Sequence, residues 1–164
     1  MNFKSCFALC TLLLISACSE PLILNPDAVL PDGSRYSGGI VDGRFSGQGK
    51  LVYSGGGYYQ GGFVDGVFHG NGVLVFASGD RWEGNFTEGQ ATGEFTIISS
   101  DTETRYVGGL QNGYMHGKGE LTTQEYVYKG DFVLGDFEGH GVYTHSNGDA
   151  YTGEFEANLY HGHG

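Results

Sequence analysis

The chain has 164 residues, of which 31 are glycine, three are proline and 14% are aromatic, and its formal net charge is −11. This much glycine excludes an ordinary globular composition, the lack of a glycine at every third position excludes a collagen helix, and the aromatic content argues against simple disorder. A single domain is expected at this length, and the acidic balance has the wrong sign for binding nucleic acid.

The N-terminal segment, residues 1–17, has the pattern of a bacterial export signal. Lys4 precedes an apolar run that ends at Ile15 and is shorter than the roughly 20 residues of a membrane-spanning helix. The run closes on Ile-Ser-Ala-Cys18, which resembles the lipobox of bacterial lipoproteins. That resemblance implies cleavage before Cys18, a diacylglyceryl group on its sulfur and an acylated amino group. The alternative is a plain secretory signal cut after Ala17.

A lipid anchor at Cys18 agrees with the cysteine count and the charge. Cys6 and Cys10 leave with the signal, so Cys18 is the one cysteine that the mature chain keeps, and no internal disulfide can form. Loss of Lys4 leaves 7 basic and 19 acidic residues, a formal charge of −12, so attachment to a membrane is expected through acyl chains rather than basic side chains. By resemblance, Ser19 after the lipidated cysteine favours the outer membrane, with the inner membrane as the alternative.

After a tether over residues 18–27, the sequence repeats. An aromatic residue followed two positions later by glycine recurs every 22 to 24 residues, which is typical of a repeat architecture. The six aromatic residues, here called the aromatic column, are Tyr36, Tyr59, Trp82, Tyr106, Tyr128 and Tyr151.

Further positions keep the same period. Each aromatic-x-Gly is followed by a large apolar residue, then by a residue suited to a turn with positive φ (Gly43, Gly66, Gly89, Gly113, Gly135 and Asn158), and then by a Gly-x-Gly pair. The third copy breaks the pair, because Phe95 follows Gly93 where the other copies have a second glycine.

The unit YQGGFVDGVFHGNGVLVF, residues 59–76, resembles the MORN repeat, and the resemblance covers residues 28–164. It implies an all-β fold: an elongated, single-layer antiparallel sheet of about six β-hairpin repeats. Eleven or twelve strands would span roughly 50 Å. Because the sequence given stops at Gly164, the sixth repeat is expected to be incomplete and to lack its second strand.

Alternation along each strand assigns the two faces of the predicted sheet. Tyr59, Gly61 and Phe63 share one face, and Gln60 and Gly62 lie on the other, solvated face. The predicted register sets Phe63 opposite Gly72, so that large and small residues alternate across the sheet and each glycine makes room for a neighbouring ring.

No catalytic motif accompanies the repeats, and the chain is not expected to be an enzyme or to need a cofactor. His69, His116 and His161 hold equivalent positions, but repeats two strands wide place the first two roughly 19 Å apart, too far to share a metal ion. MORN repeats also occur beside lipid kinase domains, yet the kinase motifs are missing from this sequence.

The aromatic column has two interpretations, which are compatible. In the first interpretation the column is the framework of the sheet, and in the second it is an exposed apolar strip that binds a partner. The favoured hypothesis is a non-enzymatic, membrane-anchored protein-binding or scaffold module of the cell envelope, which binds a protein partner or a second copy of itself. The alternative is direct contact with envelope lipid or glycan.

Overall fold

The computed structural model describes residues 26–164, and these residues form one open antiparallel sheet in which every strand pairs with its neighbours in sequence. Thirteen strands are present in this range: β1 (Ala28–Val29), β2 (Arg35–Val41), β3 (Arg44–Val52), β4 (Tyr58–Val64), β5 (Val67–Val75), β6 (Arg81–Thr87), β7 (Gln90–Ile98), β8 (Arg105–Gln111), β9 (Tyr114–Thr122), β10 (Tyr126–Val133), β11 (Asp136–His145), β12 (Ala150–Glu156) and β13 (Leu159–His161). The predicted all-β, single-layer sheet of hairpins is confirmed.

The ends of the sheet differ from the prediction. The two-residue strand β1 pairs with β2 ahead of the first repeat, which raises the count above the eleven or twelve expected. The sixth repeat is predicted to lack its second strand, but Leu159, Tyr160 and His161 pair with β12 as a strand of three residues, where the other repeats have nine or ten. The signal, Cys18 and most of the tether lie outside the described residues.

Two-residue turns close the hairpins, and both turn residues have positive φ. Asp65 has a φ of 50° and Gly66 a φ of 87°, and Val64 is therefore held opposite Val67. This is the type I′ geometry that suits the twist of antiparallel strands. The predicted turn positions are confirmed in all six repeats.

The register within each hairpin is not the predicted one. Phe63 lies opposite Phe68, and Gly61 lies opposite Gly72, so glycines face glycines across the sheet instead of alternating with large residues. The reason is a bulge: the pairing shifts between Gly61 and Gly62, and Gly70 and Asn71 have no partner in β4. Alternation along the strands could not reveal two extra residues in the return strand.

The two glycines of each Gly-x-Gly pair have different roles. Gly70 has a φ of 68° and forms the bulge. Gly72 lies beneath the ring of Tyr59, and a Cβ added there would lie 2.6 Å from two carbons of that ring. The third repeat keeps the bulge at Gly93 and replaces the second glycine by Phe95.

Candidate interaction surface

Most of the aromatic column forms the inner layer of the fold. Tyr36, Tyr59, Tyr106 and Tyr128 are no more than 2% exposed, while Trp82 and Tyr151 are half-buried. The tyrosine rings lie flat on the glycine backbone of their own hairpin. The four buried rings thus act as framework, and whether the column also binds a partner stays a prediction.

The tyrosine hydroxyl explains why tyrosine, rather than phenylalanine, occupies the column. The Tyr59 hydroxyl donates a hydrogen bond to the carbonyl oxygen of Gly62 at 3.1 Å, beside the bulge where the ladder is interrupted. Each of the other column tyrosines donates in the same way to the carbonyl three residues further on, at 2.8 to 3.2 Å. The hydroxyl thus ties each tyrosine ring to a backbone carbonyl next to the bulge.

Burial also changes the acidity of these phenols. It raises the pKa of Tyr59, Tyr106 and Tyr128 to about 12, because the phenolate would be removed from water. These hydroxyls therefore stay protonated, and able to donate, throughout the neutral range.

A second layer of rings covers the tyrosines. Phe68 stacks on Tyr59 with 3.7 Å between ring centroids, and Phe45, Phe137 and Tyr160 stack in the same way in the first, fifth and sixth repeats at 3.8 to 4.1 Å. Phe86 of the next repeat meets the Tyr59 ring edge-on at 5.3 Å. The rings of successive repeats are thus in continuous contact from β2 to β6.

On the side of the sheet that carries the tyrosine rings, the outer surface of this second layer faces the surroundings. We call this surface the aromatic face. It is apolar and partly exposed: Phe76 is 39% and Tyr160 is 58% exposed, and the half-buried members are Phe45, Phe68, Leu74, Trp82, Met115, Tyr126 and Tyr143. Sequence reasoning missed this layer because it assigned the exposed role to the column itself.

The opposite face carries ion pairs beside exposed valines such as Val64 and Val142. Lys118 contacts Asp131 at 2.7 Å, and Lys129 contacts Glu120 at 3.0 Å. A cavity of about 620 Å³ on this face is bordered by both lysines. Because both ammonium groups are already paired with carboxylates, the cavity offers little free positive charge to an anion.

Metal-ligating side chains do not converge within residues 26–164, where no group of three or more His, Cys, Asp or Glu residues could hold an ion. His116 Nδ1 is buried without a hydrogen-bond partner.

Within residues 26–164, no helix has the length and apolar character needed to cross a membrane.

The third repeat differs from the others in two linked positions. Phe95 replaces the second glycine and its ring lies over Gly84, the place that a tyrosine ring takes elsewhere. Ala91 stands opposite Phe86 where the other hairpins place Phe45, Phe68, Met115, Phe137 or Tyr160. The third repeat therefore gains a ring, Phe95, against the backbone and lacks a ring in the second layer, where Ala91 stands.

Comparison with protein-family models matches the MORN repeat over residues 36–58, 59–81, 106–124, 128–150 and 151–164. The chain belongs to the MORN-repeat family. The five matched segments cover more than half of it, and they leave out the third repeat, residues 82–105, where Trp82, Ala91 and Phe95 depart from the pattern. Comparison with curated proteins gives no match. MORN repeats suggest a repeat protein, often one that binds membranes or proteins.

Proposed function

We propose that this MORN-repeat protein is a non-enzymatic scaffold of the bacterial cell envelope that binds a protein partner, or a second copy of itself, through its aromatic face. The observation that carries the proposal is the exposure of this face: no other layer in residues 26–164 covers the stacked rings, and Phe76 and Tyr160 remain substantially exposed. Partly exposed aromatic residues around a well-packed centre are typical of protein-binding surfaces.

The column enters this proposal as support for the surface. Buried tyrosines that lie on glycine and bond the backbone hold the second layer in place, so the aromatic face is rigid before any partner arrives. A preorganised surface loses little conformational entropy on binding. Trp82, half-buried in the least regular repeat, and Tyr151, half-buried in the last one, are the members of the column that reach the surface.

The second part of the proposal is a lipid anchor. Acyl chains on Cys18, including an amide-linked chain such as palmitate, would hold the protein on the outer membrane, with the inner membrane as the alternative. Two or more chains give stable attachment at about 0.8 kcal/mol per buried methylene. The formal charge of −12 without the signal supports attachment by acyl chains, because anionic headgroups would repel the protein.

The binding proposal is tested by co-purification from cross-linked cells. Replacing Phe76 and Trp82 together by serine should remove the partner, or the second copy, while circular dichroism stays unchanged. Val64→Ser is the matched control, since Val64 is 47% exposed and follows Phe63 in β4, which places it on the opposite face. Equal recovery of partners by the folded double variant and by wild type would refute binding through the aromatic face.

The anchor is tested separately with Cys18→Ala. This variant should lose metabolic labelling with palmitate and move out of the membrane fraction; retention of both would rule out lipidation at Cys18. Flotation of the Cys18→Ala protein with liposomes addresses the alternative function, direct contact with lipid. Flotation without the anchor would favour lipid contact, and its absence would favour a protein partner. Aromatic rings can also stack on sugars, so binding to envelope glycan should be assayed with the same variant.

A further inference from the structure

We infer that the third repeat contains a binding pocket for a small, neutral, ring-bearing compound. A cavity of about 340 Å³ lies on the aromatic face, and its apolar wall is formed by Phe68, Leu74, Trp82, Phe86 and Ala91. This site does not depend on the envelope anchor, and it shares Phe68, Leu74 and Trp82 with the proposed protein-binding face.

The pocket arises because the third repeat has a large residue, Phe95, in place of a glycine and a small residue, Ala91, in place of a large one. In four other repeats the space above the column ring holds a second ring, stacked at 3.7 to 4.1 Å. Ala91 leaves that space without a ring, and Phe95 does not fill it because the Phe95 ring lies lower, against Gly84. In those four repeats the equivalent space holds a phenyl or phenol ring.

Trp82 adds a wall suited to stacking. Its ring is not seated on Gly84, where the atoms nearest to an added Cβ belong to Phe95 and Glu94. Instead, the indole is half-buried, 6.5 Å from the Phe95 ring and 5.5 Å from the Phe76 ring. A planar ligand beside the indole would gain ring stacking in addition to its buried area.

The residues at the opening of the pocket favour a neutral ligand with a polar substituent. The side of the pocket nearest the hairpin turns is lined by Gln90 and Asn112, whose amides can donate and accept hydrogen bonds, and no charged residue lines the pocket. The net charge of the chain disfavours an anion. An apolar cavity of about 150 Å³ takes a benzene molecule, so the present one has room for two fused rings.

The experiment uses the protein's one tryptophan as the reporter. Prodan, a neutral naphthalene with a ketone, absorbs near the emission of tryptophan, so bound prodan should quench Trp82 and accept its excitation energy. We expect saturable binding at one prodan per chain. Bound prodan without energy transfer from Trp82, or binding that does not saturate at one per chain, would overturn the inference in the wild-type protein itself.

Two variants fill the pocket. Ala91→Phe and Ala91→Met should each weaken prodan binding at least tenfold, and methionine is already accepted at the equivalent position by the fourth repeat, as Met115. The matched control is Thr96→Phe, which adds the same ring to β7 on the opposite face and should bind as wild type does. If either filling variant keeps the circular dichroism of wild type and also its prodan affinity, the pocket is not the binding site.

Discussion

At the scale of single residues, the fold depends on a glycine directly under each tyrosine ring. A ring in van der Waals contact with the backbone leaves no room for a methyl group, and the energetic result of forcing one in is overpacking rather than loss of a contact. Gly72 and Tyr59 show this in its simplest form, since the ring also bonds the backbone through its hydroxyl.

Gly72→Ala should therefore destabilise the protein by about 1–3 kcal/mol, because the new methyl group would displace the Tyr59 ring. Denaturation with urea measures the change. Gly55→Ala is the matched control: Gly55 is an exposed loop residue with open space around its Cβ position and no positive φ, so the same substitution should leave the unfolding midpoint nearly unchanged. Equal losses at the two sites would contradict the role of the ring.

The buried phenols predict sensitivity to alkali. Tyr59, Tyr106 and Tyr128 have a pKa of about 12 in the fold, against about 10 in an unfolded chain. Because the folded pKa is the higher one, the contribution to stability is complete below pH 10 and is lost as the pH rises from 10 to 12. Phenolate absorbance at 295 nm, followed with circular dichroism, should show these three tyrosines titrating late and together with unfolding. Normal titration of all tyrosines with the fold intact would contradict the prediction.

At the scale of the hairpin, the type I′ turn requires positive φ at both central residues, and the sequence meets this demand unevenly. Asp42, Asp65 and Asn112 are short polar residues that tolerate the left-handed region, whereas Leu134 adopts a φ of 51° and is 58% exposed. A leucine in this conformation costs roughly 1–2 kcal/mol and gains little from burial.

Leu134→Asn should stabilise the protein by about 1 kcal/mol, since asparagine adopts the left-handed conformation with less strain. The midpoint of thermal unfolding measures the gain. Val133→Asn, one residue earlier and also exposed, changes an extended position and should bring no stabilisation. A lower midpoint for Leu134→Asn would show that the leucine makes a contact outweighing the strain.

The hairpin is also the scale at which sequence reasoning reached its limit. Period, turn positions and faces follow from the spacing of Tyr59, Gly61 and Gly66 along the chain, because each is a local property. The pairing of Gly61 with Gly72 is not local, because it depends on a bulge at Gly70. The sequence does not show which glycine of the Gly70-x-Gly72 pair forms the bulge and which one pairs with the neighbouring strand. The pocket at Ala91 had a visible signal, an alanine where other repeats carry a large residue, but its meaning required the correct register.

At the scale of the whole molecule, the thirteen strands of residues 26–164 follow the order of the sequence, and each is hydrogen-bonded to its sequence neighbours. Stability in such an array is a sum over repeats and the interfaces between neighbours. Hydrogen bonds at the turn edge reinforce four of the five interfaces between repeats, as where the Gly66 amide donates to the Phe45 carbonyl at 2.9 Å and the Gly135 amide donates to the Met115 carbonyl at 2.8 Å.

The loss of stability caused by a single substitution should therefore remain local to its hairpin and the neighbouring strands. Gly72→Ala weakens the hairpin of β4 and β5, and β11 lies six strand spacings from β5, about 29 Å away. Hydrogen exchange followed by mass spectrometry should show reduced protection in peptides from β3 to β6, while peptides from β10 to β12 exchange as in wild type. The ring contacts that join the second repeat to the third should carry the effect one hairpin further, and the third repeat, with its half-buried Trp82 and its vacant ring position, should stop it there. Equal loss of protection in β11 would mean that the sheet opens as one cooperative unit and that coupling between repeats exceeds the stability of any single hairpin.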